Sequence, residues 1–279
     1  MNRLISIELQ KIWKSRASRV LTISYFVILS FIALIASIKF EFGSFKLHIA
    51  DQGIFNFPYI WHFNTYVAAI LKLFLAIVIV SMMANEYSYG TLKQNLIDGL
   101  SKAEFIKSKF LTAALFAFCS TVFIFVMSLI LGLFFSSYNE PAIIFSDLEY
   151  LFAYFLKLTA FFSFCLFLGI LVKRSAFALG FLFVWNIFEG IVKGILTFQV
   201  FPKSDTAESI MRFMPLEAMS NLIKEPFTRL SVIKNIETSI GGQVNIKDYS
   251  VQWQDVVIVV VWIVIFVLLS YKLLKKRDL

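Results

Sequence analysis

No glycine is followed by lysine anywhere in the 279 residues, so the chain carries no phosphate-cradling loop of the Walker type. Histidine is almost missing: His48 and His62, both in or near the first outer loop, are the only two. That supply is too thin for a Ser–His hydrolase or a His-rich metal site within the apolar segments. The two cysteines, Cys119 and Cys165, fall inside apolar runs and are read as small packing groups rather than disulfide or metal partners. Every Asp is assigned to a loop, which leaves no Asp pair for an intramembrane protease. No catalytic residue, no metal and no bound cofactor is expected.

What the chain has in excess is apolar and aromatic. Hydrophobic residues make up 59% of it, Phe alone occurs 33 times, and mean hydropathy is +0.80, whereas soluble domains are roughly 45–50% apolar. Apolar runs of about 18 residues or more mark membrane spans. Six fit: about 19–38, 64–84, 108–135, 148–171, 176–200 and 254–273. The expectation is an all-α membrane protein of six transmembrane helices, forming one transmembrane domain over 1–279.

Six spans put both termini on one side. That side, with segment 92–107 and the 172–175 turn, holds fifteen bases against five acids, net +10. The opposite loops hold eight bases and twelve acids, net −4, and +2 remains inside the spans. The positive-inside rule then predicts cytoplasmic N- and C-termini for a multi-pass membrane protein. Topology accounts for the net charge of +8. The lipid bilayer is a partner and nucleic acid is not.

Residues 2–16 place Ile5, Leu9, Ile12 and Trp13 on one helical face and Arg3, Gln10, Lys11 and Lys14 largely opposite. This favours an interfacial helix on the inner leaflet over a plain extension of the first span. Lys173-Arg174-Ser175 joins spans four and five in a tight hairpin. Gly190 and Gly194 have the spacing that lets helices approach, a weak signal in so apolar a chain. In the outer stretch 201–253, Asp205 with Glu208 resembles a cap. Leu216, Met219, Leu222 and Ile223 recur at helical spacing, as do Phe227, Leu230, Ile233, Ile236 and Ile240. Pro215, Pro226 and Gly241-Gly242 punctuate these pieces. The apolar content predicts outer amphipathic helices that form a lid or re-entrant element before the last span.

Four charges fall well inside predicted spans, away from their ends: Lys72, Lys157, Glu189 and Lys193. Glu189 and Lys193 are four residues apart on one helical face and are expected to pair. Lys72 and Lys157 have no evident acid. They either line a pathway for an anionic headgroup or solute or snorkel outward along their stems.

The most informative stretch lies between spans two and three. Thr91 with Gln94 and Ser101 with Glu104 both fit the capping-box pattern. Gly90 is placed to break the preceding helix and Gly99 to close the short one. A short helix of about two turns, roughly 10 Å long, is predicted at the membrane's edge. The run Glu86-Tyr-Ser-Tyr-Gly90-Thr91-Leu92-Lys93, then Gly99-Leu-Ser101-Lys102-Ala-Glu-Phe-Ile106 and Lys109, resembles the permease subunits of ABC-2-type ATP-binding cassette transporters. Their pattern is E-x-x-x-G-T-x-[KR], a G-x-[ST]-[KR] turn, and a Lys opening the third span.

That resemblance extends over nearly the whole chain, nearest to the compact six-span bacterial type. It implies that segment 91–99 is a coupling helix docking in a groove of a partner ATPase, with Glu86, Gly90, Thr91, Leu92, Lys93, Leu96, Gly99, Ser101 and Lys102 serving the coupling. It further implies a second permease copy or paralogue, ATP and Mg on the partner ATPase rather than on this chain, and export as the usual direction. The alternative is a non-transporting mechanical subunit that relays ATPase motion to an outer-side or periplasmic partner.

Overall fold

The computed structural model describes residues 2–38, 40–42, 45–47, 53–138, 140–202, 206–229 and 248–277. Helix α1 runs Asn2–Lys14 and α2 Arg16–Ser37. Ser15 separates them in an extended conformation, its side chain accepting from the Ser18 N–H, as a helix N-cap should. Two three-residue strands, β1 (Phe40–Phe42) and β2 (Phe45–Leu47), pair antiparallel after α2. Helices α3 (Tyr59–Ile70) and α4 (Lys72–Ser88) follow, then α5 (Thr91–Ile97) and α6 (Lys102–Phe135). A single turn α7 (Pro141–Ile144) precedes α8 (Glu149–Val172), which a left-handed Lys173 ends before α9 (Ser175–Ile195). A π-helical turn (Leu196–Val200), α10 (Thr206–Met211), α11 (Pro215–Asn221) and a 3-10 turn (Phe227–Arg229) lead to α12 (Trp253–Lys275).

Among the described residues, five stretches are long and apolar enough to cross a membrane: Arg16–Ser37, Lys102–Phe135, Pro141–Val172, Ser175–Val200 and Trp253–Lys275. The pair α3 and α4 passes the same test together, but bends by 48° at Leu71. The 64–84 run is therefore not one straight helix. The 108–135 run likewise starts earlier, at Lys102, so Lys109 sits two turns inside α6 rather than opening it.

Helix α8 is the hub. Its apolar stretch is 78% buried, against 17–28% for the other four, because α3, α4, α6, α9 and α12 all pack around it. Small hydroxyls tie this centre together. Tyr25 of α2, Ser120 of α6 and Tyr154 of α8 form a buried hydrogen-bonded triangle with edges of 2.6, 2.6 and 2.8 Å, and Asn64 of α3 donates to Ser128 of α6 at 2.8 Å. Such bonds hold helices together where burial of apolar surface alone cannot.

One end of the bundle gathers α1, α5, the start of α6, the α8–α9 turn and the C-terminal residues. Arg277 donates to Tyr87 and to the final α8 carbonyls of Ile170 and Leu171, a basic cap on a helix C-terminus. The opposite end is closed by the segment after α9. Helices α10 and α11 bury Ala207, Met211, Ala218 and Met219, and Leu222 and Ile223 follow. Tyr59 donates to the Pro226 carbonyl, Trp61 to that of Ile144, and His62 bonds the Lys224 carbonyl. The expected Asp205 cap and the apolar positions from Leu230 to Ile240, with Gly241-Gly242, lie outside the described residues.

Gly132 of α6 makes room for Phe57. A Cβ there would run into the Phe57 ring, which is itself buried against Trp61. Gly132→Ala is expected to lower thermal stability in detergent by about 1–3 kcal/mol. Gly180→Ala, whose new Cβ meets nothing within 4 Å, should be neutral or stabilising. Equal melting behaviour of the two variants would contradict this packing.

Candidate functional site

Helix α5 begins where Gly90, at φ +67°, turns the chain out of α4. It ends in a Schellman motif: Gly99, at φ +97°, donates to the Leu96 carbonyl and Leu100 donates to that of Asn95. Gly99 therefore has the expected closing role. The first expected capping box does not form. Gly90, not Thr91, occupies the cap position without a side-chain bond. Thr91 lies in the first turn and gives its hydroxyl to Glu86, while Gln94 donates to Asp98. A nearby buried carboxylate outcompetes the local N–H that the pattern assumes. The second box does form: Ser101 and Glu104 cap α6 reciprocally. Lys102, next in line, donates to the Lys275 and Arg277 carbonyls beyond and within the last turn of α12.

Glu86, 2% exposed, is the centre of this end. One carboxylate oxygen accepts from Lys109 at 2.6 Å and Lys11 at 2.8 Å. The other accepts from Thr91 at 2.5 Å and Asn95 at 3.4 Å, both on α5. Lys109, 1% exposed, also meets Glu8 of α1 at 2.5 Å. Two carboxylates and two ammonium groups thus bind α1, α4, α5 and α6 at one point. Burial works against the Lys11 ammonium, but Glu86 and Glu8 outweigh it and raise its pKa above that of an ordinary lysine.

The sequence reading missed Glu8. Its signal was present: it lies between Ile5 and Ile12, three and four residues away, on the apolar stripe of α1, and all three turn inward. Leu92 is buried and Leu96 half-buried, so both hold the helix to the bundle. The exposed residues of α5 are Lys93, Gln94 and Ile97, with Tyr89 ahead of Gly90 and Asp98 at the end also exposed; Tyr89 is 77% and Ile97 68% exposed.

The intramembrane charges form a second group. Lys72, Lys157 and Glu189 line a cavity of about 700 Å³ between the α3–α4 bend, α8, α9 and α11. Lys193 does not pair with Glu189 as expected; it binds Glu217 of α11 at 2.6 Å. Glu189 instead accepts the backbone N–H groups of Leu216 and Glu217 at 3.1 and 2.9 Å, and Trp185 Nε1 at 2.6 Å. The start of α11 offers that carboxylate unpaired N–H groups and a positive dipole end, which one exposed lysine does not match. Lys157 is buried and does not snorkel; its Nζ lies 3.5 Å from the Ser220 carbonyl. Lys72 Nζ sits 4.4 Å from the Phe161 ring centroid. Gly190 lines the cavity, and a Cβ on Gly190 or Gly194 would meet nothing, so their spacing serves no helix contact among the described residues.

At the end of the bundle opposite α5, Asp255 is not a loop residue: it lies buried in the first turn of α12, paired with Arg212. Among the described residues, no three His, Cys, Asp or Glu side chains converge to hold a metal.

A family described as "Protein of unknown function (DUF2705)" matches residues 20–279. The chain belongs to that family. The match includes Glu86, α5, Lys109 and the whole cavity, whereas Glu8 and Lys11 precede it. A stretch of 71 residues is 37% identical to the "Uncharacterized protein YhcI" of Bacillus subtilis (strain 168). That stretch is 25% of this chain and spans only 23% of the relative's length.

Removing one partner of a buried ionic group leaves the others uncompensated. Lys109→Met, which leaves Glu8 and Glu86 facing each other, is expected to destabilise the protein by about 3–5 kcal/mol. Lys11→Met, at a half-exposed position, should cost no more than about 1 kcal/mol. Thermal melting of both variants in detergent tests the ranking; a Lys109 variant that melts with the wild type would remove the cluster's structural role.

Proposed function

We propose that this chain is the permease subunit of an ABC transporter of the exporting kind, driven by ATP hydrolysis on a separate nucleotide-binding subunit. The observation that carries the reading is α5. It is a two-turn helix stopped by left-handed glycines at both ends, bonded to the bundle through Glu86, and presenting Lys93 and Ile97 outward beside the exposed Tyr89 that precedes Gly90. A stiff lever of this kind is what a soluble motor needs to move a membrane bundle. Leu92, Leu96 and Thr91 transmit the push inward, Gly90, Gly99 and Ser101 fix the ends, and Lys102 ties the following helix to the C-terminal residues.

In this reading α3 and α4 together make one bent span, giving six. The basic end, with both termini, faces the cytoplasm by the positive-inside rule, and the chain resides in a bacterial inner membrane. The exposed apolar faces of α2, α9 and α12 meet lipid and a second copy or paralogue. ATP and Mg bind the partner, and this chain performs no chemistry of its own.

The test is copurification. Affinity-tagged wild type from its native host is expected to retain a soluble ATPase. Ile97→Asp, which alters an exposed side chain and no internal contact, should insert and fold normally yet retain far less of it. Gly99→Val forces a β-branched residue into a left-handed turn, at about 1–2 kcal/mol, and should do the same. Retention of the ATPase at wild-type level by both variants would sink the coupling assignment. Stimulation of the ATPase by a transported substrate in liposomes separates transport from a purely mechanical relay.

A further inference from the structure

The cavity between the α3–α4 bend, α8, α9 and α11 divides its charges unequally. Its two carboxylates are already occupied. Glu189 is held by two backbone N–H groups and Trp185, and Glu217 by Lys193. Its two ammonium groups are not. Lys157 is 4% exposed, and its only hydrogen bond among the described residues is a long one to a single carbonyl. Lys72 meets the face of Phe161 and, among the described residues, no acid. An ammonium in an apolar bundle is expensive to maintain without a counter-charge. Two beside one cavity form a receptor for an anion.

The rim is of the opposite character. Ile70, Leu73 and Phe183 line the same cavity and are 59%, 51% and 66% exposed on the outer surface of the bundle, so the cavity opens through an apolar side wall. Leu179 and Leu182 continue the apolar lining inward. A volume of about 700 Å³ is within the range of small-molecule sites.

We propose that this cavity binds an anionic amphiphile, with a carboxylate or phosphate head between Lys72 and Lys157 and an apolar tail leaving past Ile70, Leu73 and Phe183. The inference deepens the permease reading, on which it rests, by naming the substrate class of the transport path. A free inorganic anion would leave the apolar rim unused, and a neutral or cationic lipid would leave the lysines unmatched.

Binding is measured on the purified full chain in a neutral detergent, without any ATPase. The probe is a dansyl-labelled long-chain fatty acid, followed by energy transfer from tryptophan; Trp185 adjoins the cavity through Glu189. Saturable binding is expected, weaker by about tenfold or more for the methyl ester, since charge-assisted hydrogen bonds are lost. Lys72→Met and Lys157→Met should each weaken the acid by about tenfold and leave the ester unaffected. Gly190→Phe adds a ring where nothing lies within 4 Å of a new Cβ and should abolish binding of both by filling the cavity. Inorganic phosphate should not displace the probe. The proposal is overturned if the double Met variant binds the acid as wild type does, if acid and ester bind equally, or if phosphate alone displaces the probe. Lysine-dependent binding by a chain that never copurifies with an ATPase would refute the permease reading and leave this site standing.

Discussion

The ammonium of Lys109, one per cent exposed and gripped by Glu8 and Glu86, is the constraint around which the basic end of the bundle is arranged. A charge so deeply buried cannot stand without counter-charges. Those counter-charges come from two other elements, α1 and α4. Satisfying it therefore fixes where α1 docks and how α4 ends. The second oxygen of Glu86 then reaches Thr91 and Asn95, so the same network sets the seat of α5. One electrostatic requirement thus aligns four helices, and a displacement of α5 has to be felt by α1, α4 and α6 together.

The rest of the bundle is organised by α8, whose apolar surface is consumed inside the protein while α2, α9 and α12 keep most of theirs outside. The hydroxyl triangle of Tyr25, Ser120 and Tyr154 holds the centre. The bend at Leu71 opens the side of the bundle, and the cavity with Lys72 and Lys157 lies against it. The two charged centres follow opposite rules. Around Lys109 every charge is matched within the chain, which makes a rigid joint. In the cavity only the carboxylates are matched, which makes a site with an unfilled preference for negative charge.

Much of the fold was legible locally. Ser101 with Glu104 forecast the start of α6, because a capping box involves only four consecutive residues and no distant competitor. Gly90 and Gly99 forecast the limits of α5, since left-handed backbone selects glycine wherever it occurs. Long apolar runs forecast the positions of five membrane-length helices, but not the bend that splits the 64–84 run or the early start of α6 at Lys102. The errors share one cause. Thr91 turned to Glu86 instead of its own N–H, and Glu189 turned to the N-terminus of α11 instead of Lys193. In each case a partner outside the assumed pattern, five residues away for Thr91 and on another helix for Glu189, was better placed and better matched in charge.

The sequence by itself determined which long segments are helical and apolar, where α5 begins and ends, and which end of the bundle is basic, since these follow from short-range periodicity, capping and composition. Only the tertiary structure decided what the buried charges do. It turned Glu8 inward from the apolar stripe of α1 to meet Lys109, sent Lys193 to Glu217, turned Leu92 and Leu96 inward and left Tyr89 and Ile97 outward, and gathered Lys72 and Lys157 at one cavity. The physical reason is range. Capping and periodicity act over a turn or two of helix, whereas an ion in a low-dielectric interior selects its partner from whatever the packing of distant helices brings within a few ångströms.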